Sequence, residues 1–263
     1  ELLRERATDA PVPMTVLVDR GSLGRIRNVA VGAASAPVVA FTDSDCVPEP
    51  DWLAALLVPL HDPEVGVVQG VTRPDPTSPR RRFDATQELT SFTGRYEACN
   101  IAYRTEPLQR SGGFDESIGF FGEDTAAGLS IRRAGWQAAF APDAVVHHVV
   151  THPGLPWHLR RALGYANWNT LVRRYPELRD ELWHRYFLRQ RSAAFTAAVA
   201  GVAVAVATRR VLPLAMSLPY VAMGRPRGRG RAALVDAGAA VAFDAAVFAG
   251  LVRGTVRERT VVL

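Results

Sequence analysis

At 263 residues the chain has room for one large domain, or one domain with an appendage. Apolar residues make up 48% and charged residues 22%, which supports a substantial core and excludes wholesale disorder. The net charge of +5 rests on arginine alone, since the chain has no lysine; it suits a phosphate-bearing or anionic-lipid partner, and no nucleic-acid partner is expected. Arginine without lysine also points to a GC-rich, bacterial genome. The two cysteines, Cys46 and Cys99, are too few for a disulfide framework, and no paired Cys/His zinc spacing is present. The polar opening ELLRERATDAPVPM carries no signal peptide, so a reducing, cytoplasm-facing catalytic portion is expected.

In chain order, MTVLV (14–18) predicts a short strand and GRIRNVAVGAAS (24–35) a helix. APVVAFTDSD (36–45) predicts a buried strand ending in acids, and DWLAALLVPLHD (51–62) an amphipathic helix. VGVVQGVTR (65–73) predicts another strand. GEDTAAGLSIRRAG (122–135) predicts a helix that stops at Gly135, and WQAAFAPDAVVHHV (136–149) two more short strands. Strand, helix and strand at short intervals imply an α/β domain over residues 1–155, with a mixed, mainly parallel sheet flanked by helices.

Residues 156–191 mix arginine with Trp157, Trp168 and Trp183 at helical spacing. They read either as membrane-interfacial helices or as amphipathic helices packed on the sheet. Residues 192–263 form a hydrophobic helical region with apolar runs at 192–208, 211–223 and 233–252. A span needs about 20 apolar residues, with a lower limit near 17. The run 192–208 meets that limit; 233–252 is long enough but carries Asp236 and Asp244, which share one helical face and would meet arginines or line a bundle interior. The run 211–223 is broken by Pro213 and Pro219. An Ala-rich soluble subdomain is the other reading of this region. Arg209-Arg210 and GRPRGRGR (224–231) favour a cytoplasmic catalytic face.

Four constellations can carry chemistry. AFTDSDCVPEPDW (40–52) delivers Asp43 and Asp45 at a strand's carboxyl end, where open α/β sheets place ligands. Paired carboxylates there suit magnesium or manganese, although an isolated D-x-D also occurs as a solvated turn. Glu123 and Asp124 sit at a helix start, where they either cap the helix or accept a proton from an attacking hydroxyl. His147 and His148 follow a strand; one of them, His147 first, could complete a metal site with Asp43 and Asp45. Arg25, Arg27 and Asn28 stand near a helix start and could face a diphosphate or a base, or simply form a basic helix terminus.

Taken in order, the R-N helix, D-S-D-C-x-P-x-P-D-W, N-I-A-Y-R, G-G-F-D-E, G-E-D-T, R-R-A-G and the strand before H-H resemble the inverting family 2 glycosyltransferases of the GT-A fold, over residues 14–150. The resemblance implies a hexosyltransferase-like enzyme that uses a nucleotide-diphospho-sugar donor and a divalent cation. It implies Asp45 as main metal contact with Asp43 and His147 in support, and Asp124 as general base with Glu123 orienting the acceptor. It further implies that Arg27 and Asn28, beside Arg25, hold the nucleotide. Asn100 and Arg104, in the N-I-A-Y-R segment, are assigned to the acceptor. Family members usually open with a strand, a helix and an acidic V-D-D-x-S-type segment; none stands upstream of Asp43, so an incomplete donor site and an exposed sheet edge are expected. The tail resembles members with C-terminal membrane segments, which implies a membrane-bound enzyme facing the cytoplasm and a lipid-linked or polysaccharide acceptor. A nucleotidyltransferase, and a non-catalytic membrane partner that keeps the acceptor half of the fold, are the alternatives.

Overall fold

The computed structural model describes residues 12–119, 121–224 and 230–263. The chain divides into two compact units. One runs through Thr77 and resumes at Gln87–Val149; the other comprises Ser78–Thr86 and Val150–Leu263. Most of the ELLRERATDAPVPM opening and most of GRPRGRGR lie outside the described residues.

The first unit is built on a five-stranded sheet. Its strands are β1 (Val38–Thr42), β2 (Cys46–Pro48), β3 (Val65–Pro74), β4 (Asn100–Arg104) and β5 (Gln137–His148), in the spatial order β1-β4-β3-β5-β2. The sheet is mixed, as expected, but only β3 and β5 run parallel; the other three pairings are antiparallel. The expectation of a mainly parallel sheet assumed that strands successive in sequence lie side by side. Here β4 enters antiparallel between β1 and β3, and β2 turns back to pair with β5.

The first eight residues of β3 are buried, because the strand is covered on both faces. Leu56, Leu60, Val65, Val68, Ala102, Ala141 and Ala144 form one apolar cluster around it. Phe41, Tyr103 and Phe114 stack edge to face nearby. β1, by contrast, lies at the sheet edge and is only partly covered. Residues 14–18 form no strand: Met14, Leu17 and Val18 are exposed. Apolar alternation alone does not make a strand when no neighbour takes up its backbone hydrogen bonds.

Helix α1 (Leu23–Ala33) is capped by Ser22, whose hydroxyl accepts from the Arg25 N–H at 3.3 Å and donates to the Glu116 carbonyl at 2.9 Å. α2 (Trp52–Leu57) continues as a 3-10 turn through His61. α3 (Thr105–Arg110) follows β4 directly. α4 (Glu123–Arg133) starts after Gly122 and is followed by Gly135; both glycines adopt positive φ, which relieves the strain a side chain would suffer there. The two strands expected after it are one: β5 runs unbroken, with a register shift opposite Gly70/Val71 that absorbs the Pro142–Asp143 step.

In the second unit, α5 (Leu155–Ala162), a 3-10 turn (Leu163–Ala166) and α6 (Asn167–Arg174) form a short helical layer. Ser78–Thr86 packs with this unit: Ala85 pairs with Thr151, and the His158 ring meets the Phe83 carbonyl at 3.1 Å. α7 (Gln190–Thr208) folds back through a 3-10 turn (Leu212–Ser217) into α8 (Leu218–Met223). α9 (Arg231–Glu258) lies against the α5–α6 layer. Gly250 and Gly254 permit that approach, since a Cβ would meet Leu163 O at 2.8 Å and Ala166 O at 2.6 Å. The two aspartates on α9 meet arginines: Asp236 pairs with Arg82 at 2.9 Å, and Asp244 with Arg191 at 2.6 Å. Tyr220 also donates to Asp244, at 2.6 Å. α7 and α9 are long and apolar enough to cross a membrane by length and composition, and both expose apolar residues such as Val206 and Leu234.

Candidate active site

The sheet and α4 bring together two pairs of acids. The first pair sits in the turn between β1 and β2. Asp43 and Asp45 brace this turn through their carbonyls: Asp43 accepts from Cys46 N at 3.0 Å, and Asp45 from Val149 N at 2.9 Å. The Asp45 side chain is 48% exposed, and its Oδ2 lies 3.6 Å from His148 Nε2. His148 holds its Nδ1 2.8 Å from the Val149 carbonyl, which acts only as an acceptor. Nδ1 therefore carries a proton, and Nε2 is the ring nitrogen that faces Asp45.

This arrangement places the second histidine of the pair beside Asp45. Successive residues of a strand point to opposite faces, so only one of the pair can face Asp45. The β2–β5 register sets His148 opposite Cys46 and His147 opposite Val47. His147 turns away to Glu49, with Nε2 2.9 Å from Oε1. Asp43 is half-buried. Burial pushes its carboxyl above the usual range, Arg27 opposes that, and the Asp45 charge adds to it.

The second pair opens α4. Glu123 is 3% exposed and forms an ion pair with Arg27, whose guanidinium lies 5.5 Å from the centre of the Phe114 ring. Its other oxygen, Oε2, is buried with no hydrogen-bond partner. Asp124 accepts from Ala98 N at 3.2 Å and from Thr125 N at 2.8 Å. Loss of solvent pushes its carboxyl up to about 7, with the adjacent Glu123 charge adding to the shift; Arg27 and the two N–H bonds oppose it. The Tyr103 hydroxyl, fully buried and without a hydrogen-bond partner, feels the Asp124 charge. Sequence reading passed over Tyr103; a lone phenol in a buried strand was the available signal.

Several other predicted site residues have structural work instead. Asn28 clamps α1 to the Gly-Gly-Phe loop: Nδ2 donates to the Phe114 carbonyl at 2.8 Å, and Oδ1 accepts from Phe114 N at 2.8 Å. Arg25 pairs with Asp19 at 3.0 Å on the surface. Asn100 is fully buried; it donates to Val71 O and Ala144 O, both at 2.8 Å, and accepts from Trp52 Nε1 at 2.8 Å. Gly70 leaves room for that amide, because a Cβ there would collide with it. Arg104 donates to the carbonyls of Val65, Leu60 and Asp62. The Asn100 amide is thus committed to the fold, and Arg104 commits its Nε and Nη2 to backbone carbonyls. Cys99 is buried beside Thr72, and burial pushes its thiol up to about 12.

Asp45 and His148 supply an oxygen and an oriented imidazole nitrogen, a donor set that fits a divalent cation such as Mn2+ or Mg2+.

Residues 5–163 match the family described as "Glycosyltransferase like family 2". Two curated relatives are similar: the pre-mycofactocin glycosyltransferases of Mycobacterium tuberculosis strains CDC 1551 / Oshkosh and ATCC 25618 / H37Rv. Each is 28% identical over 166 residues, covering 57% of this chain and 35% of the relative. The chain thus spans about a third of the length of those relatives. Among solved structures, a mannosyltransferase from Pyrobaculum calidifontis in complex with GDP-Man and Mn2+ is similar in fold. Its TM-score is 0.57 at 20% identity, with 97% of this chain and 73% of that chain covered.

Proposed function

Because the chain belongs to glycosyltransferase-like family 2, with residues 5–163 carrying the match, we propose that it moves a sugar from a nucleotide-diphospho-sugar to an acceptor hydroxyl with inversion. The observation that carries this reading is the division of labour between the two acid pairs. Asp45 is exposed and aimed at His148, while Asp124 is desolvated with its carboxyl near 7.

A carboxyl poised near neutrality is suited to accept a proton from a hydroxyl as that hydroxyl attacks. Asp124 is the general base in this reading. Glu123 is a positioning residue: it orients the Arg27 guanidinium, and its own charge beside Asp124 pushes the Asp124 carboxyl up, against the opposing pull of Arg27. Asp45 and His148 would hold the divalent cation, with Asp43 behind them. Bound there, the cation supplies neutralising charge for the departing nucleoside diphosphate. Manganese and a sugar nucleotide in the Pyrobaculum mannosyltransferase support this assignment. Arg27 is oriented by Glu123 and Phe114, and stands as the remaining candidate for the donor phosphates.

The exposed apolar surfaces of α7 and α9 support association with a cell membrane, with the catalytic unit facing the cytoplasm and a lipid-linked or polysaccharide acceptor. The test is to incubate the chain with Mn2+, a panel of nucleotide sugars and a membrane lipid extract, and to follow nucleoside diphosphate release. Release that depends on both donor and acceptor is expected. No release with any donor, while Mn2+ and nucleotide still bind, would favour a non-catalytic partner.

A further inference from the structure

The D-S-D turn carries a donor that the glycosyl-transfer reading does not use, the thiol of Cys46. β2 and β5 are antiparallel, and their register sets Cys46 directly opposite His148. Paired residues of adjacent strands point to the same face, so the Cys46 sulfur and the His148 ring share one side of the sheet. Asp45 precedes Cys46 in the chain and faces the same imidazole, at 3.6 Å. The sulfur, a carboxylate oxygen and a ring nitrogen all lie within 4.8 Å of one another. Metal–donor bonds of about 2.0 to 2.3 Å place such donors somewhat closer, so about an ångström of side-chain rotation completes the cluster. His148 already has the outer hydrogen bond that ligating histidines usually show, with Nδ1 held by the Val149 carbonyl and Nε2 facing Asp45.

Mixed sulfur, nitrogen and oxygen donors discriminate between metals. Carboxylate and water suit Mg2+ and Mn2+, whereas thiolate favours Zn2+ and related softer ions. We propose that Asp45, Cys46 and His148 form a three-donor site for a thiophilic divalent cation, Zn2+ in character. The fourth position stays open to water. As the metal–sulfur bond forms, the Cys46 thiol proton passes to solvent, so metal binding releases one proton. If the donor-site reading is correct, Zn2+ and the Mn2+ of the nucleotide sugar share Asp45 and His148, and Zn2+ is an inhibitor that Cys46 makes potent. The metal site itself stands without that reading.

Co2+ reports such a site directly, because a thiolate ligand gives it a sulfur-to-metal charge-transfer absorption. The full reduced chain is titrated with Co2+. An absorption that saturates at one equivalent is expected, displaced by Zn2+, lost in Cys46→Ser and kept in Cys99→Ser. Zn2+ should bind Cys46→Ser at least tenfold more weakly than the unsubstituted chain. A second measurement needs no substitution: Zn2+ should slow alkylation of Cys46, read by mass, at least tenfold. No charge-transfer absorption, its persistence in Cys46→Ser, or alkylation at the same rate with and without Zn2+ overturns the proposal. Mn2+-dependent nucleotide binding by the unsubstituted chain is read separately, so failure of the donor-site reading is distinguishable from failure of the thiol site.

Discussion

The two acid pairs of the catalytic unit contrast the same residue type in opposite settings. Asp45 lies in a turn at the sheet margin, exposed, with an imidazole as its nearest partner. Asp124 lies at the start of α4, desolvated and beside another carboxylate, and its carboxyl rises to about 7. Solvent access and the nearest charge decide whether an aspartate is a permanent anion suited to a cation or a base that exchanges a proton near neutral pH. In the proposed reading, position on the fold rather than residue type separates the two roles.

The largest expected effect comes from removing the base. Asp124→Asn should lower kcat by roughly 10²- to 10⁴-fold, the usual worth of general base catalysis. Turnover within threefold of the unsubstituted chain would remove Asp124 from the role. The cation side should respond less in rate and more in binding. His148→Ala should weaken Mn2+ by roughly 10- to 100-fold, whereas His147→Ala, whose ring bonds Glu49, should change it less than twofold. Equal effects from both histidines would show that strand alternation does not choose the ligand.

The pH dependence sharpens the contrast further. The rate should rise with pH along a limb near 7, as Asp124 gives up its proton. Glu123→Gln removes the neighbouring negative charge and should move that limb to lower pH; a limb that stays in place would detach it from Asp124. The smallest effect is on stability. A carboxyl raised from 3.8 to about 7 binds more protons in the folded than in the unfolded state between those values. Its contribution to stability is therefore present at low pH and fades as pH rises through about 7. Denaturant titrations from pH 4 to 8 should show this slope in the unsubstituted chain and a flatter one in Asp124→Asn.

Much of the site was legible where chemistry and local pattern coincide. The D-x-D at the end of an apolar run and the two acids after Gly122 both fell where the sequence placed them. VGVVQGVTR was read as a strand, and β3 is one, buried over its first eight residues. What escaped depends on register and pairing, which a linear reading does not contain. His147 and His148 are interchangeable in sequence and opposite in space. Asn100 and Arg104 look like substrate contacts because polar groups in a buried strand demand partners; their partners are backbone carbonyls and the Trp52 indole. Asn28 was read as a nucleotide contact because it stands near a helix start, and its amide binds the Phe114 backbone. MTVLV had strand composition but no neighbour among the described residues.

The most direct test of the divided roles is calorimetric titration with GDP and with UDP, with and without Mn2+, of the unsubstituted chain, Asp45→Ala and Asp124→Asn. Mn2+-dependent binding of at least one nucleotide, kept in Asp124→Asn and lost in Asp45→Ala, is the predicted result. Binding that ignores Mn2+, or that falls equally in both variants, would contradict the account.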